Sequence, residues 1–340
     1  QGVTTSLAML LIEELDGDWN RVRFEFAPVD RDYFNFGMLL NGQPLGDPEA
    51  SWLAGTGTWA MRQLFHAIGL SMTISSTSVV DGWDTLRPAG ATARQMLVSA
   101  AARRWRLDPA SLRTEAGFVI DDTSGQRAGY GELAEAAAHE KPGDAPALKD
   151  RSQHRLIGTN PPRLDTRMKV SGEAKFAIDV RPSGLLHAAI AHSPIAGSRI
   201  ARFDANGADT MPGVQAVLLA GKPGEEHAVA VVADDTWQAM QAAQQLRITP
   251  ATIDGNPVDT AQLDARLEQL LSAAEPVTFR DDGDAPGALA SAADAIEAVY
   301  SVPYLAHACM EPMNCTAQFT GSALTLWAPT QAHTIARDIG

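Results

Sequence analysis

Residues 163–200 read RLDTRMKVSGEAKFAIDVRPSGLLHAAIAHSPIAGSRI. Two short apolar runs stand out, KFAIDV at 175–180 and LLHAAIAHS at 185–193, each bounded by Gly or Pro. Short apolar runs punctuated by Pro and Gly mark this part of the chain. The texture continues downstream with VQAVLLA at 214–220 and HAVAVVA at 227–233. TWQAMQAAQQLRI at 236–248 reads as a helix running into a strand. Strands and helices mixed in this way predict an α+β domain.

Toward the N-terminus the pattern changes. TTSLAMLLIEEL at 4–15 has helical spacing, with Thr4 or Thr5 as a cap. RVRFEFAP at 21–28 alternates and predicts a strand ended by Pro28. Residues 30–60, rich in Gly, Asn, Pro and Asp, predict a long irregular loop of the functional kind. A helix is predicted over 85–105, where Ala93, Met96, Leu97, Ala100 and Trp105 share a face and Arg103, Arg104 and Arg106 suit the C-terminal end. Residues 111–138 predict strand, turn, strand and helix. Residues 141–162, with Pro142, Pro146, Pro161 and Pro162 and no periodicity, predict a linker. On the C-terminal side, the acidic stretch DDGDAPGALA at 281–290 precedes a predicted strand pair, 296–305 with 315–327. No repeat of fixed period is visible.

A chain of 340 residues allows two or three domains, and its 45% apolar content supports sizeable cores. A net charge of −14 argues against a nucleic-acid surface. Two cysteines, Cys309 and Cys315, are too few for a disulfide framework. No apolar run approaches a membrane span; SLAMLLIEEL breaks at Glu13. No signal peptide is visible. A chain that begins at Gln1 rather than Met reads as a processed or trimmed product.

Four places carry candidate chemistry. GTGTWA at 55–60 fits a G-x-G-x-x-A dinucleotide fingerprint but lacks the preceding strand that the motif needs. SSTS at 75–78 is an anion cradle before a helix, or simply a capped turn. On a strand, His307, Cys309, Glu311 and Cys315 would share one face, as a metal site or as a satisfied buried network, although their spacing is wrong for zinc. His187 and His192 read as hydrogen-bonded core residues.

Against that background residues 163–200 resemble the opening of the hammerhead domain of the molybdenum hydroxylases, the xanthine dehydrogenase/aldehyde oxidase family. The matched residues are Gly172, Ala174, Phe176, Asp179, Leu185, Leu186, Ala188, Ser193, Pro194, Arg199 and Ile200. MPGVQAVL at 211–218 and AVAVVADDTWQAMQAAQQLRI at 228–248 resemble its next two segments, in order. YSVPYLAHACMEPMNCTAQF, followed by LWAPTQ, is similar to the strand pair that opens the first molybdenum-cofactor domain. QGVTTSLAMLLIEEL resembles a G-Q-G-x-x-T segment, and SSTSVVDGWDTLRPAGATARQML the segment that cradles the pterin and its phosphates. In xanthine dehydrogenase the last two segments follow the hammerhead. Here they precede it, as in isoquinoline 1-oxidoreductase large subunits and related membrane-linked aldehyde dehydrogenases.

The resemblance implies a multi-domain α+β fold. Residues 1–140 would be a displaced piece of cofactor domain 2, 141–162 a linker, 163–280 the hammerhead and 291–340 a truncated start of cofactor domain 1. It implies an oxidoreductase, an aldehyde dehydrogenase or N-heterocycle hydroxylase with water as oxygen source. The cofactor would be molybdenum-molybdopterin in its cytosine dinucleotide form. The partners would be a small [2Fe-2S] subunit, the remainder of the large subunit and, in some members, a heme c cytochrome subunit, for electron transfer in a heteromeric, periplasmic or periplasm-facing complex. By resemblance Gln331 supports a molybdenum oxo ligand, an amide donating without ligating. Gln1, Gly2, Val3, Ser75, Ser76, Thr77 and Ser78 join it in binding the cofactor, Glu311 and Asn314 support the same face, and no residue ligates metal. The family's glycine-rich segment and catalytic Glu have no counterpart here, so this reads as an N-terminal part, inactive alone. The alternative is a non-catalytic scaffold that binds a partner chain without molybdenum.

Overall fold

The computed structural model describes residues 2–37, 52–143, 146–252, 259–273, 277 and 282–339. They form two compact units, one of residues 1–180 with 308–340 and the other of residues 181–307.

The first unit is organised around two helices, α1 (Val3–Leu15) and α3 (Ser78–Trp105). Small residues decide how closely they pack. A Cβ on Gly82 would lie 2.6 Å from Leu7 Cδ2, and one on Gly90 would collide with the Leu11 carbonyl oxygen. The contacts advance in step along both chains, so the helices run in the same sense and both N-termini lie at one end. α1 stops where Asp16 turns left-handed at φ 55°. At the far end of α3, Leu97, Ala100 and Ala101 are buried against Val119, Ala128, Leu133 and Ala137. Those residues come from an antiparallel sheet of β1 (Arg113–Glu115), β2 (Phe118–Ile120) and β3 (Arg127–Gly129) and from α4 (Tyr130–Ala137). The Tyr130 hydroxyl donates to the Leu15 carbonyl, fixing this module to the end of α1.

Buried charge holds the next segment in place. The Glu13 carboxylate accepts from the backbone N–H groups of Arg155, Leu156 and Ile157 and from Lys149 Nζ. Burial raises its pKa, but those donors outweigh it and leave the carboxyl below the usual range. Glu14, fully buried, pairs with Arg87 and accepts from the Lys149 backbone N–H. Thus Lys149–Ile157, within the stretch predicted as a linker, is strapped to α1. Short α5 (Thr166–Val170) follows, with Asp165 held by Arg163 and Lys169.

The second unit contains a three-stranded antiparallel sheet in the order β4–β7–β6: β4 (His187–His192), β6 (Val214–Ala220) and β7 (Ala228–Ala233). β7 is central and buried, which is why its sequence is continuously apolar. Helix α6 (Thr236–Ala243) packs on it, with Val231, Ala242 and Ala208 as core. β5 (Ile200–Asp204) pairs with β8 (Arg247–Pro250). Helices α7 (Thr260–Ala273) and α8 (Ala285–Ser291) complete the unit, the latter capped by Asp284. The chain is therefore a mixed helix-and-sheet protein.

Several expectations are corrected. Residues 21–28 form no strand; Trp19–Arg21 is a 3-10 turn, and Phe24 and Phe26 stack edge-to-face with Phe26 77% exposed. Alternation alone makes no strand when no neighbour supplies a ladder. The stretch expected as a loop to residue 60 includes the start of helix α2 (Trp52–Ile68), and its residues 38–51 lie outside the described residues. The third helix begins at Ser78, not 85, and runs through Pro88. Residues 296–305 form no strand; the hairpin is β9 (Thr316–Phe319) with β10 (Leu324–Trp327). α9 (His333–Ile339) follows it.

Candidate functional site

Residues 69–73, which begin at the left-handed Gly69 (φ 68°), form a short strip whose two sides have different partners. On one side lies the segment after the hairpin. Thr73 N–H donates to the Gln331 carbonyl at 2.8 Å, and Met72 forms an antiparallel bridge with Ala332. The Thr334 hydroxyl accepts from Ser71 N–H and donates to the Gly69 carbonyl, both at 2.9 Å. On the other side lies Asn35. This strip brings Gln331 to within two residues of the Ser75–Ser78 turn. Two stretches more than 250 positions apart in the chain therefore meet at Thr73.

Ser75 and Ser76 both take left-handed conformations, φ 55° and 57°, and both are exposed. Consecutive non-glycine residues in that region are strained, and such strain gathers at functional sites. Thr77 differs from its neighbours. It is fully buried, and its hydroxyl donates to the Ile74 carbonyl and accepts from Asn35. That hydroxyl is committed within the protein, while those of Ser75 and Ser76 face solvent.

Two helix starts lie at this end. α3 begins without a side-chain cap at Thr77, and α1 begins without one at Gly2, φ 80°. α1 has no acidic residue in its first turn. Uncapped backbone N–H groups at parallel helix starts attract anions. Asp81, in the first turn of α3, is occupied elsewhere. It accepts from the Phe36 and Gly37 N–H groups and lies 3.9 Å from Arg62. Burial outweighs those contacts and pushes its carboxyl above the usual range. The donor set of backbone amides and exposed serine hydroxyls fits an anionic group held by uncharged donors.

The remaining site residues fall as follows. Gln331 is exposed, with only its backbone carbonyl engaged among the described residues. Gly2 and Val3 stand at the start of α1; Gln1 lies outside the described residues. Glu311 and Asn314 do meet. Glu311 Oε1 accepts from Asn314 Nδ2 at 3.0 Å and from the Ile178 N–H at 2.9 Å. The strand face expected for His307, Cys309, Glu311 and Cys315 does not form: residues 307–315 carry no strand and Ala308 turns left-handed at φ 45°. Both cysteines are free and exposed. Among the described residues no group of three or more His, Cys, Asp or Glu is placed to hold a metal ion. GTGTWA lies inside α2 rather than in a loop before a helix, which removes the dinucleotide fingerprint. Sequence reading missed Asn35 and Thr334, whose partners are 37 to 265 residues away and leave no local pattern.

No family model matches the chain. Among curated proteins it is 32% identical to the beta subunit of isoquinoline 1-oxidoreductase from Brevundimonas diminuta, over 77% of this chain and 34% of that protein. It is 29% identical to a nicotinate dehydrogenase subunit of Pseudomonas putida, over 97% of this chain and 25% of that protein. It is also 29% identical to the aldehyde oxidoreductase molybdenum-binding subunit PaoC of Escherichia coli, over 53% of this chain and 27% of that protein. The chain thus spans about a quarter to a third of the length of these relatives. Over that stretch it is related to the large subunits of the molybdenum hydroxylases, of the isoquinoline 1-oxidoreductase kind.

Proposed function

We propose that this chain is the part of a molybdenum hydroxylase large subunit that cradles the molybdopterin cofactor. The observation that carries this reading is the meeting of three segments at one end of the α1–α3 pair. These are Gly2–Val3, Ser75–Ser78 and, through the Thr73 hydrogen bond, Gln331. When bound, the cofactor supplies two-electron oxidation of an aldehyde or N-heterocycle with oxygen from water. The chain's own residues bind and orient it. The helix N–H groups and the Ser75 and Ser76 hydroxyls would hold its phosphates, and the Gln331 amide would donate a hydrogen bond to it. In this reading the cofactor is the cytosine dinucleotide form, and electrons leave through [2Fe-2S] and heme c partner subunits on the periplasmic side. Residues 1–140 and 291–340 are then pieces of the two cofactor domains, and 163–280 the hammerhead between them. The joining of residues 308–340 to the N-terminal residues in one unit supports the association of the two pieces, while the unit bounds leave 163–180 with the first piece and 291–307 in the other unit.

Gln331→Ala in the intact enzyme tests it. The expected result is a roughly 100-fold or greater loss of turnover, in line with removal of one transition-state donor, and an altered molybdenum EPR signal. Unchanged turnover with an unchanged signal overturns the role of Gln331. Absence of molybdenum from the natively purified complex favours the scaffold reading, to which the internally committed Thr77 hydroxyl gives its support.

A further inference from the structure

We infer that Asn35 is a positioning residue that sets the distance between Gln331 and the Ser75–Ser76 turn; the inference rests on the cradle reading above. Its backbone N–H donates to the Leu70 carbonyl, and its Nδ2 donates to the Met72 carbonyl at 3.0 Å and to the Thr77 hydroxyl at 2.9 Å. Leu70 and Met72 present their carbonyls on one side of the 69–73 strip, and Thr77 lies beyond the turn that follows it. Gly69, Ser71 and Thr73 face the other side, toward Thr334 and Gln331. From Leu70 to Thr73 the alternation is that of a strand, in which successive residues address opposite neighbours. Asn35 therefore stands where an edge strand would stand, and it clamps the strip before and after the left-handed turn.

The amide orientation follows from its partners. The Met72 carbonyl only accepts, so nitrogen faces it, and Oδ1 is left buried without a hydrogen-bond partner among the described residues. A buried unsatisfied acceptor is a cost to stability. An apolar side chain of the same size would avoid that cost but would release both Met72 and Thr77. The segment that presents Asn35 is anchored independently, by Phe36, 2% exposed, and by Asp81 accepting from the Phe36 and Gly37 N–H groups. Asn35 does not touch the cofactor in this scheme; it acts through Met72, Thr73 and Thr77.

Amide hydrogen exchange on the natively purified complex tests this without relying on turnover. Asn35→Ala is compared with Val119→Ala, which opens a cavity in β2, in a part of the core that does not touch the strip. Exchange at Thr73 and Ser71 should rise roughly tenfold or more in Asn35→Ala, as expected for the loss of one to two hydrogen bonds. Val119→Ala should leave both amides within about threefold of wild type. In a complex that holds molybdenum, Asn35→Ala should also change the molybdenum EPR signal. Asn35→Ser, which keeps a small polar side chain but cannot donate twice, serves if the alanine variant does not assemble. Unchanged exchange at Thr73 in the asparagine variants overturns the inference, as does equal acceleration in Val119→Ala. If the exchange result holds but the wild-type complex contains no molybdenum, the clamp stands and the cofactor reading falls.

Discussion

Glu13→Ala should loosen the strap of Lys149–Ile157 from α1. In the native protein one carboxylate oxygen, Oε2, takes three consecutive backbone N–H groups, at 3.0, 2.6 and 2.9 Å, while Oε1 faces Lys149 Nζ at 3.2 Å. Glu13 is 3% exposed, so water does not readily replace it. Each buried donor left unmatched costs about 1–3 kcal/mol. The strap can relax toward solvent, so the total should settle near 3–5 kcal/mol, the range for breaking a buried charge pair. Glu13→Gln makes the sharper comparison. Its carbonyl oxygen can keep the three amides, and only its N–H₂ group opposes Lys149, for a cost of about 1–2 kcal/mol. Urea unfolding of the natively purified protein gives both values, and hydrogen exchange at Leu156 and Ile157 localises the loss. An alanine variant within about 1 kcal/mol of wild type, or a glutamine variant as damaging as alanine, would refute the account.

Two further outcomes follow from packing and charge. Gly90→Ala should destabilise by about 1–3 kcal/mol through overpacking against the Leu11 carbonyl, although alanine raises helix propensity by about 1 kcal/mol; thermal unfolding checks it. Arg163 first, and then Lys169, hold the Asp165 carboxyl down to about 2 from its ordinary 3.8. A depressed folded pKa gives stability that is complete above about pH 4 and is lost as pH falls toward 2. Asp165→Asn should therefore flatten the acid limb of a stability-versus-pH curve between those values.

Local pattern read well where a segment makes its own hydrogen bonds or has an apolar neighbour of fixed period. α1 and the helix-to-strand run read at 236–248 follow their spacing, and the buried β7 follows its unbroken apolar run. It failed where pairing needs a partner that sequence does not show. Residues 21–28 and 296–305 alternate or are apolar, yet neither forms a strand. The α2 sequence misled through Gly55 and Gly57, which usually mark loops but here lie within a helix. At the candidate site, Ser75–Ser78 was legible from its residues as an anion cradle or a capped turn, and Gln331 only through resemblance. Asn35 and Thr334 were not legible at all, because a buried amide or hydroxyl gains its role from groups far along the chain.

The bridge between Ser71 and Thr334 spans 263 positions. α1, α3 and the β1–β3 module are complete once the first 140 or so residues have emerged from a ribosome, whereas the strip at 69–73 must wait for residues 331–334. At about 5–20 residues per second that interval is roughly 10–40 s. Throughout it, the backbone groups of Gly69, Ser71 and Thr73 that later bind Thr334 and Gln331 lack those partners. The contacts of the strip with Gln331 and Thr334 are thus among the last of this unit to close in biosynthesis, and an early-made segment waits for its partner until the end of the chain is made.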